Sequence, residues 1–226
     1  MKIKEIQGLK FPDVQVTRFF FKENLNLIKG RVLELGCGNG NNLLLFYEYG
    51  YEVVGVDIDS KFINQAHRNF ELSKMEENKR NDYFFFGTDM LNFLKNYQGP
   101  AFDIILIPNS LYYLRYDDIL LVLDLLKNLL KPNAFLFCIM RGTNDYRINK
   151  GEKLDDYSYK LNFKETGEEG AIVTFFDKPA ILSIIDRYFS LKNQVVLNAF
   201  NENIQNGVKT WQSDIIIWGK TVTAEI

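Results

Sequence analysis

Three glycines at alternate positions, Gly36, Gly38 and Gly40, follow an apolar run, Val32-Leu33-Glu34-Leu35, and directly precede a helical pattern. A second apolar run, Val53-Val54-Gly55-Val56, ends on Asp57. The two runs read as strands and the segment between them as a helix, giving a strand-turn-helix-strand unit. In such units ligands bind outside the carboxyl ends of the strands, where main-chain N–H groups and the helix N-terminus point at them. Asp57 stands about 20 residues after Gly36, the spacing at which an acidic side chain takes ribose hydroxyls. Glycine donors at one strand end and a carboxylate acceptor at the next are chemistry for holding a ribose-bearing cofactor. The plainer alternative is that any tight strand-to-helix turn favours glycine, whatever it binds.

The glycine pattern separates cofactors. A dinucleotide fingerprint carries a third glycine for close helix-strand packing beside a pyrophosphate; Asn41 occupies that place here. The stretch ELGCGNG followed by VDID instead resembles the S-adenosylmethionine pocket of class I methyltransferases. The resemblance implies S-adenosylmethionine as cofactor and S-adenosylhomocysteine as product. It also implies cofactor contacts from Glu34, Gly36, Cys37, Gly38, Gly40, Asp57 and Ile58. Further along, Gly87-Thr88-Asp89-Met90 ends a third strand. By the same resemblance Asp89 accepts from the adenine amino group and Met90 flanks the ring, while capping of the next helix is the plainer role for Asp89. Pro108 and Asn109 close the fourth strand beside the glycine turn, where the loop should face the methyl group.

Composition bounds the class. At 226 residues, 46% hydrophobic and 25% charged, the chain suits one domain with a sizeable core. We expect a single methyltransferase-like domain over 1–226. No apolar run is long enough to span a bilayer and no secretory h-region opens the chain, so a cytoplasmic protein without membrane partners is expected. Two cysteines and one histidine make a dedicated metal site unexpected. A net charge of −2, with 27 basic against 29 acidic residues interspersed, argues against general nucleic-acid binding.

The elements that position these residues follow in order. Residues 14–28 carry apolar side chains at helical spacing, and a helix leading into the first strand resembles the segment that lids the cofactor in many methyltransferases. Phe11, Arg18 and Phe19 are its possible contacts; packing on the sheet is the alternative. A helix follows from Ser60, with His67 in its middle far from the strand ends, and residues 71–80 read as a charged linker. Tyr83 to Phe86 and Phe102 to Ile107 are strands, the latter apolar enough to be central and covered on both faces. After a helix ending near Leu130, the run LKPNAFL resembles the approach to the fifth methyltransferase strand, Ala134 to Met140, in which Cys138 is buried. Residues 141–176 break the alternation as a substrate-side insertion, with Tyr157 to Phe163 and Ile172 to Phe176 pairing as a hairpin. The last two strands, Gln194 to Phe200 and Thr210 to Trp218, joined by residues 201–207, must be antiparallel because a parallel pair needs a longer crossover. The expected fold is α/β: a doubly wound, mostly parallel seven-stranded sheet with an antiparallel last strand and helices on both faces.

The function expected is methyl transfer to a small-molecule acceptor, a sugar or metabolite, at O or N. Pro108-Asn109-Ser110 departs from the N-P-P-Y/F signature of amino-methylating nucleic-acid enzymes, and no cysteine stands there for C5-cytosine chemistry. Tyr112, Tyr113, Asp145 and Tyr146 are candidates for catalysis by position; Arg18, Tyr112, Arg141, Tyr146 and Arg147 are candidates for substrate contact. A catalytically silent S-adenosylmethionine-binding scaffold and an NAD(P)-dependent oxidoreductase are the alternatives. The acceptor, the general base and the oligomeric state stay open at this level.

Overall fold

The computed structural model describes residues 3–77, 82–164 and 166–222. Its frame is one sheet. Strands β1 (Arg31–Leu35), β2 (Glu52–Asp57), β3 (Tyr83–Gly87), β4 (Phe102–Ile107) and β5 (Leu130–Gly142) lie in the order β3-β2-β1-β4-β5, all parallel. The order reverses between β1 and β4, so the carboxyl ends of these two strands flank a crevice.

Two long strands complete the frame: β9 (Leu191–Gln205) and β10 (Val208–Thr221). The last one inserts antiparallel between β5 and β9. These seven strands are the expected set. The sheet nevertheless has ten, because residues 141–176 contribute β6 (Gly151–Lys153), β7 (Ser158–Leu161) and β8 (Ile172–Phe176). The expected hairpin is β7 with β8, and β8 joins the frame through parallel pairing of Arg141 with Phe175 and Gly142 with Phe176. Arg141 and Gly142 thus end β5 rather than open the insertion. Residue 165 lies outside the described residues.

Helices cover both faces. On one side α1 (Val14–Lys22), α2 (Asn41–Glu48) and α3 (Ser60–Glu77) bury Phe19, Phe20, Phe46 and Phe70 against Val32, Val53, Phe137 and Trp218. On the other, α4 (Met90–Asn96), α5 (Tyr116–Leu126) and α6 (Lys178–Tyr188) pack Phe93, Val122, Leu123 and Ile184 against Leu33, Val54, Ile105 and Leu136. A strand buried on both faces needs apolar side chains at every position. In β4, Ile104 and Leu106 face one core and Ile105 and Ile107 the other.

Several boundaries differ from the sequence expectation, each for a local reason. The leading helix stops at Lys22 rather than Ile28: Asn24 adopts φ 55°, a left-handed conformation that ends α1, and Leu25–Leu27 is a separate 3-10 turn. Helix α3 continues to Glu77, through most of the segment read as a linker; residues 78–80 lie outside the described residues. The terminal hairpin is longer than expected because Asn206 and Gly207 supply two consecutive positive φ values, 50° and 81°. Such a two-residue turn matches the twist of the flanking strands and lets the mostly polar residues 201–205 continue the ladder.

Candidate active site

The glycine turn is shaped by its neighbours. The N–H groups of Gly36 and Cys37 both donate to the Val56 carbonyl, at 2.8 and 3.0 Å, folding the turn over the end of β2. Gly36 has φ 76°, and a Cβ there would lie 2.3 Å from Ser110 Cβ, so the β4 loop approaches as far as only glycine permits. Ser110 fixes that approach by donating its hydroxyl to the Leu35 carbonyl at 2.6 Å. At Gly38 the space a side chain would enter is open. Gly40 precedes α2 and faces Phe70, whose Cε2 would be 2.9 Å from an added Cβ; it serves packing and does not line the cavity below.

A cleft of about 990 Å³ opens over these strand ends. From β1 and its turn come Glu34, Gly36, Cys37 and Gly38; from the end of β2, Asp57 and Ile58. Asp89 and Met90 follow β3, and Pro108 and Asn109 follow β4. Ten of the eleven expected cofactor residues therefore line one cavity, Gly40 being the exception. Phe11 and Tyr113 line it too.

Asp57 uses both carboxylate oxygens on main-chain donors, Gly38 N at 2.8 Å and Asp59 N at 2.9 Å, and each oxygen keeps a lone pair for a ligand. Asp89 caps α4 by accepting from Asn92 N at 2.8 Å, so the capping role is real and one oxygen remains free for the cavity. Glu34 is buried, 1% exposed, and accepts from Asn42 Nδ2 at 2.7 Å through Oε1; its Oε2 has no partner among the described residues. Burial, opposed by the Asn42 bond and reinforced by the Asp13 and Asp57 carboxylates, pushes its pKa up to about 8. Burial likewise raises the Cys37 thiol well above its usual range, which removes it as a nucleophile.

Residues that sequence reasoning missed form the opposite wall. Asn39 Nδ2 donates to the carbonyls of Gln7 and Leu9 at 2.6 and 2.8 Å, and Asn41 Nδ2 donates to that of Phe11 at 2.8 Å. Asn42 Oδ1 accepts from Asp13 N at 2.8 Å. Three asparagines of the turn thus strap residues 7–13 across the cavity mouth, bringing Gly8, Leu9 and Asp13 to its lining. The signal was the run Asn39-Gly40-Asn41-Asn42 itself, since side-chain amides beside a tight turn bind nearby main chain.

The arginines and their neighbours lie elsewhere. Arg18 is on the exposed face of α1 and bonds Gln15 Oε1, while Phe19 is fully buried against Phe137 and Trp218. Arg141, Asp145 and Arg147 are each at most 3% exposed and form one ion network. Arg141 Nη1 meets Asp214 Oδ1 at 2.6 Å and Asp145 Oδ2 at 3.5 Å; Arg147 meets Asp145 Oδ1 at 3.0 Å and Glu168 Oε1 at 2.8 Å. Tyr146 donates its hydroxyl to Glu168, and Arg141 donates to the Tyr112 hydroxyl. None of Arg18, Tyr112, Arg141, Asp145, Tyr146 or Arg147 lines the cavity. Buried charges need paired partners, and Arg141, Asp145, Tyr146 and Arg147 find them by joining the insertion to β5 and β10, Arg141 Nε alone among their buried polar atoms having no partner among the described residues.

Residues 11–188 match the family described as a methyltransferase domain, and the chain belongs to that family. The family is one of methyltransferases, so the oxidoreductase alternative falls. The protein YqeM of Bacillus subtilis (strain 168) is 27% identical over 109 residues, 48% of this chain and 41% of YqeM; the match spans under half of that relative's length. Among solved structures, a Methanosarcina mazei S-adenosylmethionine-dependent methyltransferase superposes with a TM-score of 0.64 at 20% identity, covering 86% of this chain and 94% of that one. The Burkholderia thailandensis 1,6-didemethyltoxoflavin-N1-methyltransferase, with bound 1,6-didemethyltoxoflavin and S-adenosylhomocysteine, gives 0.61 at 14% identity, covering 93% and 78%. The N-methyltransferase NodS from Bradyrhizobium japonicum WM9 gives 0.57 at 14% identity, covering 93% and 99%. At these identities the structural likeness establishes the fold. The residues of the cavity also fit the cofactor: the open space at Gly38, the spare lone pairs of Asp57 and the unpartnered Glu34 Oε2 are what a ribosyl, ammonium-bearing ligand would satisfy.

Proposed function

We propose that the chain transfers a methyl group to a small-molecule acceptor in the cleft above β1 and β4, in the cytoplasm. One observation carries this reading: a single cavity gathers the strand-end carboxylates Asp57 and Asp89, the glycine turn and the buried, unpartnered Glu34 Oε2. In it Asp57 takes the ribose hydroxyls and Asp89 the adenine amine, with Ile58 and Met90 flanking the ring. Glu34 takes the ammonium of the methionyl portion. Both cysteines are free and buried, as suits a reducing compartment.

Bound S-adenosylmethionine supplies a methyl group activated by a sulfonium. The remaining work falls to the protein. Pro108 and Asn109 end β4 beside the turn and set the wall against which an acceptor rests. The strap of residues 7–13 roofs the cleft and limits water. Alignment of this kind supplies about 7–11 kcal/mol of a barrier through effective molarity, without a strong base. Titration with S-adenosylhomocysteine tests the reading: saturable one-site binding, weakened by Asp57→Ala, supports it, and absence of binding refutes it.

A further inference from the structure

The charge lining the cleft is one-sided. Asp13, Asp57 and Asp89 line it together with Glu34, whose carboxyl holds its proton at neutral pH, and among the described residues no lysine, arginine or histidine does. None of these four acidic groups has an ion-pair partner among the described residues. On the reading proposed above, three of them already have a cofactor group to meet: ribose, adenine amine and ammonium. Asp13 has none. It caps α1 by accepting from Gln15 N at 2.7 Å through Oδ1, and its Oδ2 accepts from Asn109 Nδ2 at 3.2 Å, beside the end of β4. Each oxygen keeps a further lone pair.

The surroundings add to this field. The Arg141 and Arg147 guanidiniums are tied to Asp145, Glu168 and Asp214, so that network carries more negative than positive charge. It therefore offers no net positive field to an acidic ligand. Two exposed rings, Phe11 at 66% and Tyr113 at 40%, line the same cleft as Asp13 and Asn109. Aromatic faces attract cations and repel carboxylates. A carboxylate or phosphate acceptor would enter a wall of uncompensated carboxylates, with desolvation and like-charge repulsion acting together.

We infer that the acceptor is a small amine, held at Asp13 and Asn109 between Phe11 and Tyr113, and that methylation falls on its nitrogen. This rests on the cofactor assignment of the same cleft. The amine is recruited as its ammonium and loses one proton to water, after which the freed lone pair forms the N–C bond to the methyl. The C–S bond breaks and its electron pair returns to sulfur, leaving a neutral thioether. Positive charge passes to the nitrogen, where the Asp13 carboxylate faces it, and the surplus proton leaves to water. Asp13 thus acts as a charge-stabilising, orienting group; no deprotonation by it is required.

The test uses the full chain saturated with S-adenosylhomocysteine and three matched probes, 2-phenylethylamine, phenylacetate and 2-phenylethanol, titrated by calorimetry. The expected result is amine binding at least about tenfold tighter than either matched probe, the scale of one charge-assisted contact. Asp13→Asn, which keeps a good helix cap, should reduce that preference to less than about threefold in chain that S-adenosylhomocysteine still saturates. Preference for the acid or the alcohol, binding of none of the three, or a preference untouched by Asp13→Asn overturns the amine assignment alone. If S-adenosylhomocysteine itself fails to bind, the cofactor reading falls and the amine assignment with it.

Discussion

The Asp57 carboxylate accepts the main-chain N–H of Gly38 at 2.8 Å, so the end of β2 holds the glycine turn that follows β1. The other Asp57 oxygen accepts from Asp59 N, which fixes the side chain in one orientation. A preorganised acceptor loses little freedom when a ligand arrives, which is where binding energy is otherwise spent.

Glu34 makes stability and binding respond to pH. Its folded pKa, about 8, lies above its ordinary value of 4.5. Between these values the unfolded chain has lost the proton and the folded chain keeps it, so this group makes stability fall as pH rises through the window. The slope approaches about 1.4 kcal/mol per pH unit inside it and vanishes below 4.5 and above 8. Urea titrations at pH 5.5 and 7.5 should show a smaller loss for Glu34→Gln than for the parent. Binding of an ammonium-bearing cofactor at pH 7 should also release up to about one proton in the parent and none in Glu34→Gln. Calorimetry in buffers of different ionisation enthalpy measures this.

The Arg141–Asp145–Arg147 network should matter for the fold and little for the cofactor. Arg141→Ala leaves Asp145 and Asp214 buried with too few cations, a change that costs about 3–5 kcal/mol where such pairs are broken. S-adenosylhomocysteine affinity of the folded variant should stay within about threefold of the parent, since the network does not line the cleft. Urea unfolding and a ligand titration on the same sample check both halves. Lost affinity with unchanged stability would show that the network reaches the site.

Asn39 tests the strap. It is 3% exposed and donates to two carbonyls of the N-terminal segment. Asn39→Ala leaves Gln7 O without this donor and Leu9 O unpaired with the turn, a loss of about 1–3 kcal/mol. Trypsin cleavage after Lys10 should accelerate by at least about tenfold, and S-adenosylhomocysteine affinity should weaken by about three- to tenfold. Equal cleavage rates would mean that other contacts hold the segment.

Much of this was legible in the chain because glycine spacing, apolar runs and strand-end carboxylates are local signals. Gly36, Asp57, Asp89 and Asn109 meet at one cleft because parallel strands of a doubly wound sheet bring all their carboxyl ends to one side. The arginines were harder. Arg141 and Arg147 fall at a strand end, where substrate contact is a fair expectation, but their partners Glu168 and Asp214 are distant in sequence and no local pattern predicts such pairing. The leading helix was overestimated because its apolar spacing continues past Asn24, whose left-handed turn the periodicity does not register. The contribution of Asp13 went unseen for a similar reason: as a helix cap it looks ordinary until Asn109 is placed beside it.

The most direct measurement of the central claim is calorimetric titration of the purified chain and Asp57→Ala with S-adenosylhomocysteine, with NADH as a parallel control. The expected result is saturable one-site binding to the parent, no binding of NADH, and at least about tenfold weaker binding to Asp57→Ala with an unchanged far-ultraviolet dichroism spectrum. An unchanged dissociation constant in the variant, or binding of NADH in place of S-adenosylhomocysteine, would contradict the assignment of the cleft.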